Sequence, residues 1–285
     1  MPGIAGIYEG FLHEPKGGRM FKAHTYIKQF ACLILISMLS APAMVNATEK
    51  PKEELLVAAA ASLKELLEEI GSAFAKKHSE LRVNFQLAAS GALQQQIEQG
   101  APIDVFISAA EGPMKVLLDK GLIVPGSLKT LLSNELVVVV PANQPAPQTL
   151  ADLKGPAYKR IALGESRTVP AGQYAEAWLK HEKLDTALKD RLVPASNVRQ
   201  VLTFVATGNA SAGFVYASDA LTTDKVKIAI RARADQHPPI NYPVALVKRS
   251  TKQTAGQAFA TFLESPEAQR IFVKHGFHLP AEKSS

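Results

Sequence analysis

Four short segments place small or hydroxyl-bearing residues where the hydrophobic pattern starts a helix. They are Ala61-Ser62-Leu63, Ala89-Ser90-Gly91-Ala92, Val169-Pro170-Ala171-Gly172 and Ser196-Asn197-Val198. A helix start exposes backbone N–H groups that have no intrahelical acceptor, at the positive end of the helix dipole, and so suits an anion. None of the four segments contains Lys or Arg. An anion held there meets neutral dipoles rather than ion pairs.

The elements that must position these starts follow from periodicity. Glu54 to Ala60 reads as a strand that runs into the first segment. After it, Leu63, Leu66, Leu67, Ile70 and Phe74 recur at helical spacing, with Ser62 and Glu65 spaced as an S-x-x-E capping box. Arg82 to Leu87 alternates as a second strand leading to Ser90, and Leu93 and Ile97 form the inner face of the next helix. Asp104 to Ser108 is a third strand, and Met114 to Lys120 a helix ended by Gly121.

Leu136 to Val140 is an unbroken apolar run closed by Pro141, which predicts a strand buried on both faces. A short helix at 149–154 and a strand at 161–163 precede Pro170, which suits a first helical turn. Val198, Val201, Leu202 and Val205 mark the next helix. Strands follow at 212–216 and 226–230, and Tyr242 to Val247 mirrors the earlier Val-rich run. Helices at 257–263 and 266–275 close the pattern, ending at Gly276. Alternating strands and helices argue for an α/β fold with mainly parallel sheets. The two Val-rich strands are the expected crossings between two lobes.

The 285 residues carry a formal charge of +6. Lys and Arg are scattered and aromatics are few, so no basic stripe for nucleic acid is present. Lys22 and Lys28 precede an apolar stretch from Phe30 to Met44, and Val45-Asn46-Ala47 fits a signal-peptidase site. Residues 1–47 are therefore read as an N-terminal extension and secretion signal, with the mature chain starting at Thr48. Met20, just before the basic residues, is an alternative start. Cys32 is the one cysteine and lies inside this signal, in a context that argues against a lipid anchor. The mature chain then has no thiol chemistry, and retains 28 basic and 24 acidic residues.

Nothing in the chain points to catalysis. The nearest approach to a G-x-S-x-G elbow, Gly164 to Thr168, fails at its last position, and neither a P-loop nor H-E-x-x-H occurs. His275 and His278 are spaced i, i+3 without acidic or cysteine neighbours in sequence, so surface histidines are expected rather than a metal site. Taken singly, Ser62 is a plain N-cap, Val198 a core residue and Tyr216 a packing residue at a strand end. A binding protein for sulfate, phosphate, a metal or an organic acid stays open. For an organic acid, only Arg167 and Arg199 could supply a clamp, although a solvated or lobe-bridging Arg199 is the plainer reading.

Taken in order, the motifs resemble one family, the periplasmic molybdate-binding proteins of ABC importers. They are Ala59-Ala60-Ala61-Ser62-Leu63, Ala89-Ser90-Gly91, Gly100 to Ala109 (GAPIDVFISA), Val169 to Ala175 (VPAGQYA), Val198-Arg199, Val215 to Ala220 (VYASDA), Tyr242-Pro243-Val244 and Gly276-Phe277. The resemblance covers nearly all of the mature chain. It implies a two-lobed type II periplasmic-binding fold with mixed, mainly parallel sheets flanked by helices and a ligand cleft between the lobes. Residues 48–134 and 244–285 would form lobe I, and 135–243 lobe II.

The implied ligands of the anion are the Ser62 and Ser90 hydroxyls and N–H groups, the Ala171 and Val198 N–H groups, and the Tyr216 phenol. The implied ligand is molybdate or tungstate, with no further cofactor. The implied partners are a membrane permease and its ATPase, and the expected state is a periplasmic monomer. One departure is that Gly91-Ala92 stands where the family often has further hydroxyls; Gly91 is expected to leave its N–H exposed. Both anions carry only acceptors, so the site needs only donors, and Asp104 and Asp219 are expected to stay off the ligand.

Overall fold

The computed structural model describes residues 52–280. The expected signal, Cys32 within it, the alternative start at Met20 and the cleavage point before Thr48 lie outside the described residues. The strands are β1 (Glu53–Ala60), β2 (Leu81–Ala88), β3 (Val105–Ile107), β4 (Lys129–Ser133), β5 (Leu136–Pro141), β6 (Ile161–Gly164), β7 (Leu192–Ala195), β8 (Ala212–Tyr216), β9 (Val226–Arg231) and β10 (Asn241–Leu246). The helices are α1 (Lys64–Lys77), α2 (Ser90–Glu98), α3 (Glu111–Asp119), α4 (Pro170–His181), α5 (Asp185–Leu188), α6 (Val198–Ala206), α7 (Ala217–Ala220), α8 (Gln253–Leu263) and α9 (Pro266–Lys274).

Two five-stranded sheets result, in the orders β2-β1-β3-β10-β4 and β7-β6-β8-β5-β9. Their pairing patterns match. In the first sheet β1 pairs in parallel with β2 and β3, while β10 runs antiparallel to β3 and β4. In the second, β6 pairs in parallel with β7 and β8, while β5 runs antiparallel to β8 and β9. The antiparallel members β5 and β10 are the two Val-rich strands. They are not themselves the crossings, as the sequence led us to expect. Each is embedded in a sheet, and the chain passes between sheets in the segments before them, at 134–135 and 232–240. Every residue from Leu136 to Val140 is fully buried, which is why that run has no polar alternation.

Helix α1 buries Leu66, Leu67, Ile70 and Phe74 against the first sheet. It begins one turn later than the capping-box spacing suggested. Ala61–Leu63 form a 3₁₀ turn first, and neither the turn nor α1 has a side-chain cap. The Ser62 hydroxyl and the Glu65 carboxylate are engaged elsewhere, as described below.

The start of α4 depends on two glycines. A Cβ at Gly172 would lie 2.0 Å from the Gly164 carbonyl oxygen, so only glycine lets the helix start approach the end of β6 so closely. This packing sets the first turn of α4, and with it the Ala171 N–H, at the mouth of the second sheet. Among the described residues no helix is long and apolar enough to cross a membrane.

Candidate functional site

The ends of β1, β2 and β8 and the starts of α4 and α6 meet around a small cavity between the two sheets. Ser62, Ala89, Ala109, Ala171, Val198 and Tyr216 are among its lining residues, and no lining residue carries a charged side chain. The cavity is small, with about 10 Å³ open to the centres of water-sized spheres, too little for a larger organic ligand as it stands.

Of the five expected ligand residues, Ser62, Ala171, Val198 and Tyr216 line this cavity. Ser90 stands directly behind the wall. It is 1% exposed, and its Oγ accepts a hydrogen bond from the Ala109 N–H at 2.9 Å. Because that oxygen already accepts from a fixed peptide, its own proton is left to donate.

Helix geometry supplies the peptide donors. Ala171 and Val198 occupy the first turns of α4 and α6, where no carbonyl of the same helix is available. Asn197 caps α6 by accepting from the Gln200 N–H at 3.0 Å, while the N–H of the cavity-lining Val198 has no protein acceptor among the described residues. The Ala171 N–H is likewise without one, whereas the Gly172 and Gln173 N–H groups both bond the Val169 carbonyl.

Tyr216, the last residue of β8, is 1% exposed, and its Oη has no hydrogen-bond partner among the described residues. Burial first, then the neighbouring Tyr242, Tyr174 and Asp219, push its pKa well above the ordinary phenol value. The phenol therefore keeps its proton and can only gain by donating it. An unpartnered buried hydroxyl costs about 1–3 kcal/mol, which a bound acceptor would recover.

Gly91 departs from expectation. Its N–H donates to the Thr168 carbonyl at 2.9 Å, so it is not exposed to a ligand. A Cβ there would come within 2.8 Å of the Thr168 Cα and carbonyl oxygen. Gly91 is therefore a contact between the two halves of the molecule, one from α2 and the other from the loop before α4.

Arg199 makes the second such contact, and it is bridging rather than solvated. From α6 it donates to the Ser62 carbonyl at 3.1 Å and to Thr222 Oγ1 at 2.9 Å, and it pairs with Glu65 of α1. Its Nε also lies 2.9 Å from Asp219 Oδ1, an ion pair without good hydrogen-bond alignment. Two carboxylates thus neutralise the guanidinium outside the cavity. Arg167 is largely exposed and pairs with Glu165 at 2.6 Å. Neither arginine lines the cavity as an organic-acid clamp would.

The two aspartates also stay away from it. Asp104 accepts from the Leu56 N–H at 2.8 Å and from Ser250 Oγ at 2.6 Å. Asp219 is fully buried and accepts from the Tyr216 N–H at 3.0 Å. Its burial outweighs the attraction of Arg199 and raises its pKa to about 6. The histidines at the last helix do have acidic neighbours after all, brought by other elements. His275 lies 2.8 Å from Glu69, and His278 lies 3.3 Å from Glu135. Among the described residues no cluster of metal-ligating side chains forms.

Sequence reasoning gave no role to Tyr242 or Asn134. Tyr242 Oη lies 3.1 Å from Ser62 Oγ, and Asn134 Nδ2 lies 3.4 Å from Tyr242 Oη. The Tyr242-Pro243-Val244 motif marked the place but not the contact.

Two mixed sheets with matching strand patterns, enclosing a small cavity without charged side chains on its wall, define a two-lobed periplasmic-binding fold. The chain belongs to the bacterial extracellular solute-binding protein family, whose model matches residues 55–278. A Bacillus subtilis protein described as a putative ABC transporter substrate-binding lipoprotein is 40% identical over 259 residues, 90% of this chain and 99% of that one. The molybdate-binding protein ModA of Haemophilus influenzae is 36% identical over 229 residues, 79% of this chain and 89% of that one. Among solved structures, the periplasmic molybdate-binding protein of Azotobacter vinelandii matches with a TM-score of 0.73 at 27% identity, covering 80% of this chain and 100% of that one.

Proposed function

We propose that this protein is the substrate-binding component of an ABC importer and captures molybdate, and tungstate with it, in the cavity between the two sheets. The observation that supports this most is Tyr216 Oη, a buried phenol without a partner among the described residues, on a wall that carries no charged side chain. Molybdate and tungstate are dianions whose oxygens all accept, so a site of this polarity matches them and opposes ligands that bring protons of their own.

The Ser62, Ser90 and Tyr216 hydroxyls and the Ala171 and Val198 N–H groups are the ligands in this reading, with the Ser62 and Ser90 peptides adding theirs. Hydrogen bonds to an ion contribute about 1.5–3 kcal/mol each, and each helix start adds about 0.3–1 kcal/mol. Together these offset the cost of stripping water from a dianion. The protein holds no cofactor and performs no reaction; it binds, closes and releases.

The lobes are built on the two sheets, one from residues 53–133 with 241–280, the other from 136–231. In this reading the second division falls before Asn241 rather than at 243/244, which the pairing of Asn241 and Tyr242 with β4 supports. Contacts across the cleft, Gly91 to Thr168 and Arg199 to Ser62 and Glu65, hold the lobes together around the ion. A closed shape reports occupancy to the importer's permease and its ATPase. The chain acts as a periplasmic monomer after removal of residues 1–47.

A thermal-shift titration against molybdate, tungstate, sulfate and phosphate tests the reading. Ligand at about 100 times its Kd stabilises by about 2.7 kcal/mol, several degrees for a chain of this size. Shifts with molybdate and tungstate are expected. A shift with sulfate or phosphate alone would overturn the ligand, and no shift with any of them would overturn the oxyanion reading.

A further inference from the structure

The Ser62 hydroxyl is contacted by the Tyr242 side chain, and the groups behind that side chain bear on which way its proton points. Asn134 follows β4, where the chain crosses between the sheets. Its Oδ1 accepts from the Glu135 N–H at 2.9 Å, which fixes the orientation of the amide. The Nδ2 end then points to Ser218 Oγ at 2.8 Å and Tyr242 Oη at 3.4 Å, and it can only donate. Tyr242 Oη thus accepts from Asn134, which leaves its own proton available to donate to Ser62 Oγ, 3.1 Å away. Tyr242 is fully buried, with its ring edge-on to Tyr216 and Phe277 at centroid distances of 5.9 and 5.5 Å, so it has little freedom to turn away. Burial also keeps its phenol protonated.

We propose that Asn134 and Tyr242 are positioning and specificity-determining residues, a one-way hydrogen-bond relay that forces the Ser62 hydroxyl to donate into the cavity. This rests on the oxyanion reading above and deepens it. Ser90 reaches the same polarity through a peptide N–H, which is fixed by the backbone. Ser62 reaches it through two side chains, which makes its polarity open to mutation. With the relay intact, an oxyanion that carries a proton sets its O–H against the Ser62 O–H and is rejected. Without it, the Ser62 hydroxyl can rotate and accept.

The experiment measures the affinity of the wild-type protein, Tyr242→Phe and Asn134→Ala for molybdate and for hydrogenarsenate, a tetrahedral dianion that keeps one proton in mildly alkaline buffer. Tyr242→Phe is expected to weaken molybdate about three- to tenfold while leaving hydrogenarsenate unchanged or tighter, so the preference between them narrows. Asn134→Ala is expected to narrow it in the same sense. A purely structural role would weaken both anions equally and keep the wild-type ratio, and that result in both variants overturns the relay. If Tyr242→Phe does not fold, Asn134→Ala decides alone. Wild-type protein that binds neither anion overturns the oxyanion reading itself, and the relay with it.

Discussion

The two walls of the cavity are built from different donors. The wall from the first sheet offers side-chain hydroxyls, Ser62 lining the cavity and Ser90 directly behind it, whose protons can point several ways until a neighbour fixes them. The wall from the second sheet offers the Ala171 and Val198 peptides at two helix starts, together with the Tyr216 phenol. Peptide donors are aimed by the helix and are indifferent to the side chain they carry. The lesson is that the first wall should be sensitive to ordinary side-chain substitution, and the second, at its two helix starts, only to substitutions that remove or move the backbone N–H.

The largest expected effect tests that difference directly. Val198→Pro deletes the donor at the helix position where proline is best tolerated, after an Asn197 already in the extended conformation that a following proline favours. Calorimetric titration with molybdate should show a loss of about ten- to a hundredfold, the worth of a hydrogen bond to an ion, whereas Val198→Ala should stay within about twofold by the same scale. Ser62→Ala on the opposite wall should lose as much as Val198→Pro. An equal loss in Val198→Ala would break the comparison.

Tyr216→Phe sharpens it in another way. The phenol has no partner without ligand, so the variant should be as stable as wild type or up to about 2 kcal/mol more stable, yet bind molybdate about tenfold more weakly. Thermal denaturation with and without molybdate reads both. A variant that loses stability in the absence of ligand would mean that the hydroxyl has a structural partner.

Gly91→Ala probes the contact between the walls. Its Cβ would press on the Thr168 backbone at 2.8 Å, and overpacking of this kind costs about 1–3 kcal/mol. Molybdate affinity should fall through a faster off-rate while the isolated fold is kept, which stopped-flow release measurements would resolve.

The smallest effect concerns Asp219. Its folded pKa of about 6 lies above the ordinary 3.8, so the folded protein binds that proton more tightly than the unfolded chain. Stability relative to Asp219→Asn should therefore rise as pH falls through 6 towards 4. Denaturant melts of both proteins across that range measure it, and a difference that stays flat with pH contradicts the buried-charge account.

Much of this arrangement is legible in the chain, and the reason differs by element. The long buried strands and amphipathic helices declare themselves because burial writes a period into the sequence, as in Leu136–Val140 and in α1. The strands β4 and β7 did not. Both are sheet edges, with only Leu131 and Leu132 deeply buried in one and Pro194 inside the other, so neither carries a full apolar signature. The capping-box spacing of Ser62 and Glu65 misled because local pairing lost to long-range partners, Tyr242 and Arg199, which sequence spacing cannot bring together. The Ala171 and Val198 donors are visible only as helix starts, since an N–H leaves no mark on residue identity. Gly91 reads as a helix start with an exposed N–H until Thr168 is seen beside it.

The most direct measurement is the anomalous scattering of molybdenum in crystals of the protein grown with molybdate. The account expects a peak in the cavity, with oxygens in hydrogen-bonding distance of Ser62, Ser90 and Tyr216 and of the Ala171 and Val198 N–H groups. A peak held instead by lysine or arginine side chains on the surface, or none at all in crystals of protein saturated with molybdate, would contradict it.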